Sequence, residues 1–211
     1  LGIIPQDFNP NPGDEAVMIR FGQPGTLTNQ SWDSLSASDK QSEARLMEVF
    51  AGMLVNLDDN VGRVISYLKQ TGQYDNTLVI FTSDNGGANY IGLPDINKPY
   101  RGWKATFFEG GIHVPFFVKW PKQLPQGVAY QKPAAHVDIF STAAAVAGAS
   151  MPTDRVYDGV NLIPFLQGKN NDRPHESLYW RSGDYSTLLA GDWKLQSAEK
   201  PKKDWLFDPK N

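Results

Sequence analysis

Cysteine is missing from all 211 residues. That excludes disulfides, a thiolate metal site and a cysteine nucleophile within this stretch. Histidine is sparse, with three in the chain, and none lies close in sequence to Ser83 or Thr106, so neither hydroxyl has an obvious activating base. No apolar run approaches membrane-spanning length, and no charged start followed by an apolar core marks a signal peptide. The net charge is −3 with no long basic tract, which argues against nucleic acid as a partner. The first residue is Leu1 rather than Met, as expected of a processed chain or the downstream part of a longer one.

What is present centres on Thr77 to Ser83, a β-branched and aromatic run followed directly by Asp84-Asn85-Gly86-Gly87. The run predicts a buried strand, and the turn at its end offers a carboxylate and an amide oxygen. In open α/β sheets ligands gather at the carboxyl ends of strands, so such a pair is placed to hold a hard cation. Taken alone, Asp-Asn-Gly is also simply a common turn.

Residues 1–35, rich in proline, glycine, asparagine and aspartate, read as a connecting surface segment. Ser36 or Ser38 can cap the long helix that follows. Leu46, Val49, Phe50, Met53, Leu54, Leu57, Val61, Val64, Ile65 and Leu68 form one apolar stripe along it, which predicts burial against a sheet or another helix. Asp58 and Asp59 are expected to be solvated, with Asp59 paired to Arg63. After the strand comes Arg101-Gly-Trp-Lys104 and on to Glu109-Gly-Gly111, then a second strand from Val114 to Trp120. An alanine-rich helix ending at Gly148 begins near His136 and Asp138, where His136 reads as a hydrogen-bonded structural residue. Short strand-like pieces from Ser177 to Phe207 predict an antiparallel sheet, with Trp180, Trp193 and Trp205 in its core. The expected division is 1–35, an α/β unit over 36–175 and a small subdomain over 176–211.

From residue types, Asp84 and Asn85 supply oxygen ligands, which suit calcium or magnesium better than zinc or copper. Lys104 and Arg101 can stabilise an oxyanion, and lysine suits a tetrahedral sulfate or phosphate. Glu109 reads as an anchor of its loop. One carboxylate and one amide leave a metal shell incomplete, and no activated nucleophile accompanies them.

The ordered blocks Met47 to Met53, Leu57 to Val64, Asp75 to Gly87, Arg101 to Lys104 and Glu109 to Pro115 resemble the C-terminal half of a type I sulfatase of the alkaline phosphatase superfamily. His136 to Phe140, Asp158-Gly and Gly191-Asp-Trp-Lys-Leu195 continue the match. The resemblance implies an α/β fold, part of a mixed or parallel-sheet sandwich, with the antiparallel subdomain after it. It implies a sulfuric ester hydrolase using one Ca2+ ion, ahead of Mg2+, and a formylglycine nucleophile. Asp84 and Asn85 match two metal ligands of such enzymes, and Lys104 matches the lysine that touches the sulfate. The implied partners are a sulfate ester and the upstream part of the same protein, and the implied location is periplasmic, secreted or lysosomal.

The chain departs from the family in three ways. The Cys-or-Ser, X, Pro, X, Arg motif that yields formylglycine is absent, the upstream pair of aspartates is not seen, and His113 stands where arginine often follows Glu-Gly-Gly. The fragment alone is therefore expected to be inactive. The alternatives are a phosphodiesterase or phosphonate hydrolase of the same superfamily, a non-catalytic fragment that is structural or binds sulfated glycans, and an α/β domain whose Asp-Asn-Gly is only a turn.

Overall fold

The computed structural model describes residues 32–88, 96–199 and 202–208. The segment 1–31 lies outside the described residues, and with it nearly all of the expected connecting segment. Helix α1 runs Ala37–Gln70. Ser36 caps it, its Oγ accepting the Asp39 amide at 3.2 Å, while Asp39 in the first turn and Lys69 in the last complement the helix dipole. Beyond the last turn, Gly72 adopts φ 69°, the left-handed conformation that stops a helix at little cost with glycine.

The apolar stripe of α1 is not covered. Leu46, Val49, Met53, Leu54, Leu57 and Val64 are exposed, Met53 by 65%, and among the helix's described residues only Glu43 is buried. The stripe is thus formed as predicted but has no described element packed along it. Arg63 turns to Asn60 Oδ1, at 3.3 Å, rather than to Asp59.

The expectation of a mixed or parallel sandwich is corrected. Strand β1, Val79–Thr82, pairs antiparallel with β2, Phe116–Lys119, Val79 lying opposite Lys119 and Thr82 opposite Phe116. The remaining described strands form a separate four-stranded antiparallel sheet. The reason lies in the connection between β1 and β2. A parallel pair needs a crossover that carries the chain back to the starting end; here the intervening chain leaves and returns at one end. Ser83 N donates to Pro115 O at 3.3 Å and Gly86 N to Gly111 O at 3.0 Å, which extends the pairing past both strands. The helix in that excursion, α2, is the single turn Glu109–Ile112.

Helix α3, Val137–Val146, is built mostly of alanine and other apolar residues and ends before Gly148 at φ 67°. Its first turn is organised by Asp138, which is fully buried. Asp138 Oδ2 accepts Ala135 N at 2.8 Å. Its Oδ1 accepts Val160 N at 2.9 Å and meets His175 Nε2 at 2.8 Å, so one carboxylate ties three distant segments together. Gly159 lies under this turn, where an added Cβ would sit 2.0 Å from Val137 O. Helix α4, Ile163–Leu166, follows.

The expected C-terminal sheet is present as the meander β3 Ser177–Ser182, β4 Tyr185–Ala190, β5 Trp193–Glu199 and β6 Lys202–Phe207. Gly183 and Gly191, at φ 61° and 57°, make its first two turns. One face carries buried Tyr185, Thr187, Lys194, Gln196, Ala198 and Trp205. Trp205 is core as expected and Trp180 is partly buried, but Trp193 points to the opposite face and is exposed.

Candidate functional site

Strand β1 delivers Ser83 and the turn after it to the end of the two-stranded sheet. Within the turn, Ser83 Oγ donates to Asn85 O at 2.8 Å, Asp84 Oδ1 accepts the Asn85 amide at 2.9 Å and Asn85 Nδ2 donates to Gly86 O at 3.0 Å. With its Nδ2 so engaged, Asn85 keeps its side-chain oxygen as an acceptor, and Asp84 keeps Oδ2. Both are hard oxygen donors. They fit calcium or magnesium by chemistry, and as two ligands of the six or so such an ion takes they fit it in part. Among the described residues no three of His, Cys, Asp and Glu group as a metal cluster.

His136 supports this turn. Its Nε2 is 2.8 Å from Ser83 O and 3.3 Å from Thr82 Oγ1. A carbonyl only accepts, so Nε2 carries the proton. This is the hydrogen-bonded role expected of His136.

The loop Arg101–Gly111 packs directly on the turn. Gly86 N binds Gly111 O, and Lys104 N donates to Gly87 O at 3.1 Å. Asn97 completes the join: its Oδ1 accepts Gly87 N at 2.7 Å and its Nδ2 donates to Gly87 O and Gly102 O, each at 3.0 Å. The glycines are needed for this approach. A Cβ on Gly86 would lie 1.7 Å from Gly110 O, and one on Gly111 would lie 2.1 Å from Thr106 O. The structure therefore brings the backbone of Lys104 against the Asp84-Asn85 turn.

Lys104 itself sits in a tight turn. Buried Thr106 accepts Trp103 N at 3.1 Å and donates to Trp103 O at 2.8 Å. Ala105, next to Lys104, has φ 71°, a left-handed conformation that costs a non-glycine residue about 1 kcal/mol. Strain of this kind persists only where the surroundings impose it.

Those surroundings are supplied largely by the C-terminal sheet, whose role against this loop is not apparent from the motifs. Phe107 N donates to Tyr185 Oη at 2.8 Å, and the two rings stack with centroids 4.5 Å apart. Phe108 packs edge-on against Trp205 and Phe207, and Arg101 lies over its ring at 4.2 Å. Lys194 Nζ binds Glu109 Oε1 at 2.6 Å, while Glu109 Oε2 meets His113 Nδ1 at 3.0 Å. His113 stacks on Tyr100 at 4.5 Å. Burial alone would push the Glu109 carboxyl up, but hydrogen bonds from His113 and Lys194 and the Lys194 charge outweigh it and hold it at about 2. Burial pulls the Lys194 ammonium down, with Glu109 opposing, and burial pushes the Tyr185 phenol up.

Sequence alternation misleads about Lys194. In Trp193-Lys194-Leu195-Gln196 the alternation predicts the apolar residues inward, yet Lys194 and Gln196 are buried while Trp193 and Leu195 are exposed.

Comparison with known proteins gives a consistent result. The family profile described as Sulfatase matches residues 12–149. Rat steryl-sulfatase is 38% identical over 159 residues, covering 72% of this chain and 27% of that protein. The uncharacterized sulfatase YdeN of Escherichia coli is 41% identical over 125 residues, covering 59% of this chain and 22% of that protein. Ps i-CgsB, solved in complex with k-i-k-neocarrahexaose, superposes with a TM-score of 0.70 at 31% identity, covering 85% of this chain and 38% of that one. This chain thus spans about a quarter of the length of these curated relatives.

Proposed function

The chain belongs to the sulfatase family, and from that premise we propose that it forms the downstream part of a calcium-dependent sulfuric ester hydrolase. In this reading residues 36–175 are the downstream part of the catalytic α/β unit, and 176–211 form a subdomain that supports it. Asp84 and Asn85 are two ligands of a calcium ion, and Lys104 contacts the sulfate. When bound, the ion would neutralise charge on the sulfate oxygens. The observation that carries the reading is the stitching of the Asp84-Asn85 turn to the Lys104 loop through Gly86–Gly111 and Gly87–Lys104. It joins the backbone that carries the two oxygen donors to the backbone that carries Lys104 at the carboxyl end of one strand.

Each residue has a chemical task. Asp84 and Asn85 present oxygen to a hard cation, the negative one offsetting part of its charge. Lys104 offers a compact positive charge that holds the sulfate oxygens and offsets negative charge in the transfer step. Glu109, held ionised by Lys194 and His113, anchors the loop and takes no proton from substrate.

The nucleophile is supplied by an upstream segment of the same polypeptide. Two observations support that partner: the chain spans only a fraction of its relatives' length, and the apolar stripe of α1 is exposed along most of the helix. A bare apolar face of that extent marks an interface. The substrate is a sulfate ester, and the placement is periplasmic, secreted or lysosomal.

The test is substitution in the complete polypeptide containing this chain, assayed on an aryl sulfate in calcium buffer. Asp84→Ala and Lys104→Ala should each lower kcat/KM by on the order of 10²-fold or more, with Asp84→Ala also raising the calcium concentration needed. Unchanged rates in both, or a preference for phosphate diesters or phosphonates over sulfate esters, would overturn the assignment.

A further inference from the structure

The buried face of the four-stranded sheet is inverted in polarity at its centre. Lys194 is 2% exposed and Gln196 fully buried, while the apolar neighbours Trp193 and Leu195 face outward. A one-residue shift of β5 would bury the apolar pair. What the observed register provides is an ammonium aimed at the Arg101–Gly111 loop: Lys194 Nζ reaches Glu109 Oε1 at 2.6 Å, from a strand 85 residues further along the chain. Burying a lysine is costly unless it is paired, so Glu109 must be where it is for this register to persist.

Two more contacts act on the same loop from the same face. Tyr185 Oη caps Phe107 N at 2.8 Å, and Trp205 and Phe207 hold Phe108 edge-on. Glu109 in turn opens the single turn whose Gly110 N donates to Arg101 O at 2.6 Å and whose Gly111 O accepts Gly86 N. A continuous path therefore runs from Lys194 through Glu109 and Gly111 to the Asp84-Asn85 turn, and through the tight Trp103–Thr106 turn to Lys104.

We propose that Lys194 and Tyr185 are positioning residues for Lys104, so that the C-terminal sheet sets the geometry of the sulfate-contacting loop instead of merely covering it. This rests on the assignment of Lys104 to sulfate. Lys194 neutralises and orients Glu109, which fixes the register of Gly110 and Gly111 against Arg101 and Gly86. Tyr185 fixes Phe107, two residues beyond strained Ala105. Neither touches substrate; both act through the loop. Misplacement of Lys104 by a fraction of an ångström to an ångström is enough to lower turnover.

The experiment uses the complete polypeptide containing this chain, with Lys194→Met, which keeps the length and removes the charge, Lys194→Arg, and Tyr185→Phe, which keeps the ring. Aryl-sulfate kinetics are paired with hydrogen–deuterium exchange over residues 101–111. Lys194→Met should lower kcat by about 10- to 100-fold, with a smaller change in KM, and speed exchange in the loop. Lys194→Arg should recover part of the rate. The double variant Lys104→Ala/Lys194→Met should be no slower than Lys104→Ala, because one residue acts through the other.

Additive losses in the double variant, or unchanged kcat with a lowered melting temperature, would overturn the proposal. Should Lys194→Met not fold, Tyr185→Phe decides: faster loop exchange with reduced kcat supports the proposal, and unchanged exchange and rate contradict it. A Lys104→Ala variant with an unchanged rate would sink the assignment of Lys104, and with it this role for Lys194. Faster loop exchange in Lys194→Met would then still report the tether itself.

Discussion

Glu109 shows how much one side chain carries. Its two oxygens face Lys194 and His113, and its carboxyl is held at about 2 against an ordinary value of 4.5. A carboxyl depressed in the folded state contributes stability that is complete above the unfolded value and is lost as pH falls toward the folded one. The window is therefore pH 4.5 down to about 2. Urea unfolding followed by the fluorescence of buried Trp205 should show stability falling through that window. Glu109→Gln should flatten the dependence and lower stability at pH 7 by about 3 kcal/mol, because it leaves the Lys194 ammonium buried without its counter-charge. An unchanged acid limb would place the stabilising charge elsewhere. Asp84, Asn85, Lys104 and Glu109 stand out in the sequence because each sits in a dense local motif of turn formers and charge, and the structure joins the backbones of their two segments. Lys194 and Tyr185 do not stand out, because their meaning comes from residues some eighty positions away in sequence. Trp193 was misplaced for a related reason: a hydrophobic alternation predicts burial only when no polar demand competes for the face, and here Glu109 makes that demand.

At the scale of elements, helix α1 is the clearest anomaly. Its cap and apolar period were readable, since they depend on residues close in sequence. What covers the stripe was not, because no described element does. An exposed helix draws little stability from packing, and propensity alone holds a helix weakly. In chain 1–211 alone, amides from Leu46 to Leu68 should exchange faster than those of β4 and β5, and they should gain protection of at least about tenfold when the upstream segment is joined. Equal protection in both states would mean that the stripe is not the interface proposed. The antiparallel pairing of β1 with β2 was missed for a comparable reason. A strand followed by a glycine-rich loop and a second strand fits a crossover or a long hairpin equally well from sequence. The glycine contacts at Gly86 and Gly111 decide it, because only a returning chain lets their backbones meet.

Across the whole molecule, the turn after β1 and the C-terminal sheet meet around one loop. The turn after β1 offers oxygen ligands, the Arg101–Gly111 loop offers Lys104, and the C-terminal sheet braces that loop through Lys194, Tyr185 and Trp205. No helix among the described residues is long and apolar enough to cross a membrane. Family membership, partial coverage of the relatives and the uncovered face of α1 are the observations behind the proposal that an upstream segment completes the site. The most direct measurement is aryl-sulfate hydrolysis in calcium buffer by purified chain 1–211, alone and joined to an upstream segment bearing the Cys-X-Pro-X-Arg motif converted to formylglycine. The account predicts no turnover by the chain alone and calcium-dependent turnover by the joined form that is lost in Asp84→Ala. Turnover by 1–211 alone at a rate matching the joined form, abolished by Asp84→Ala, would contradict it.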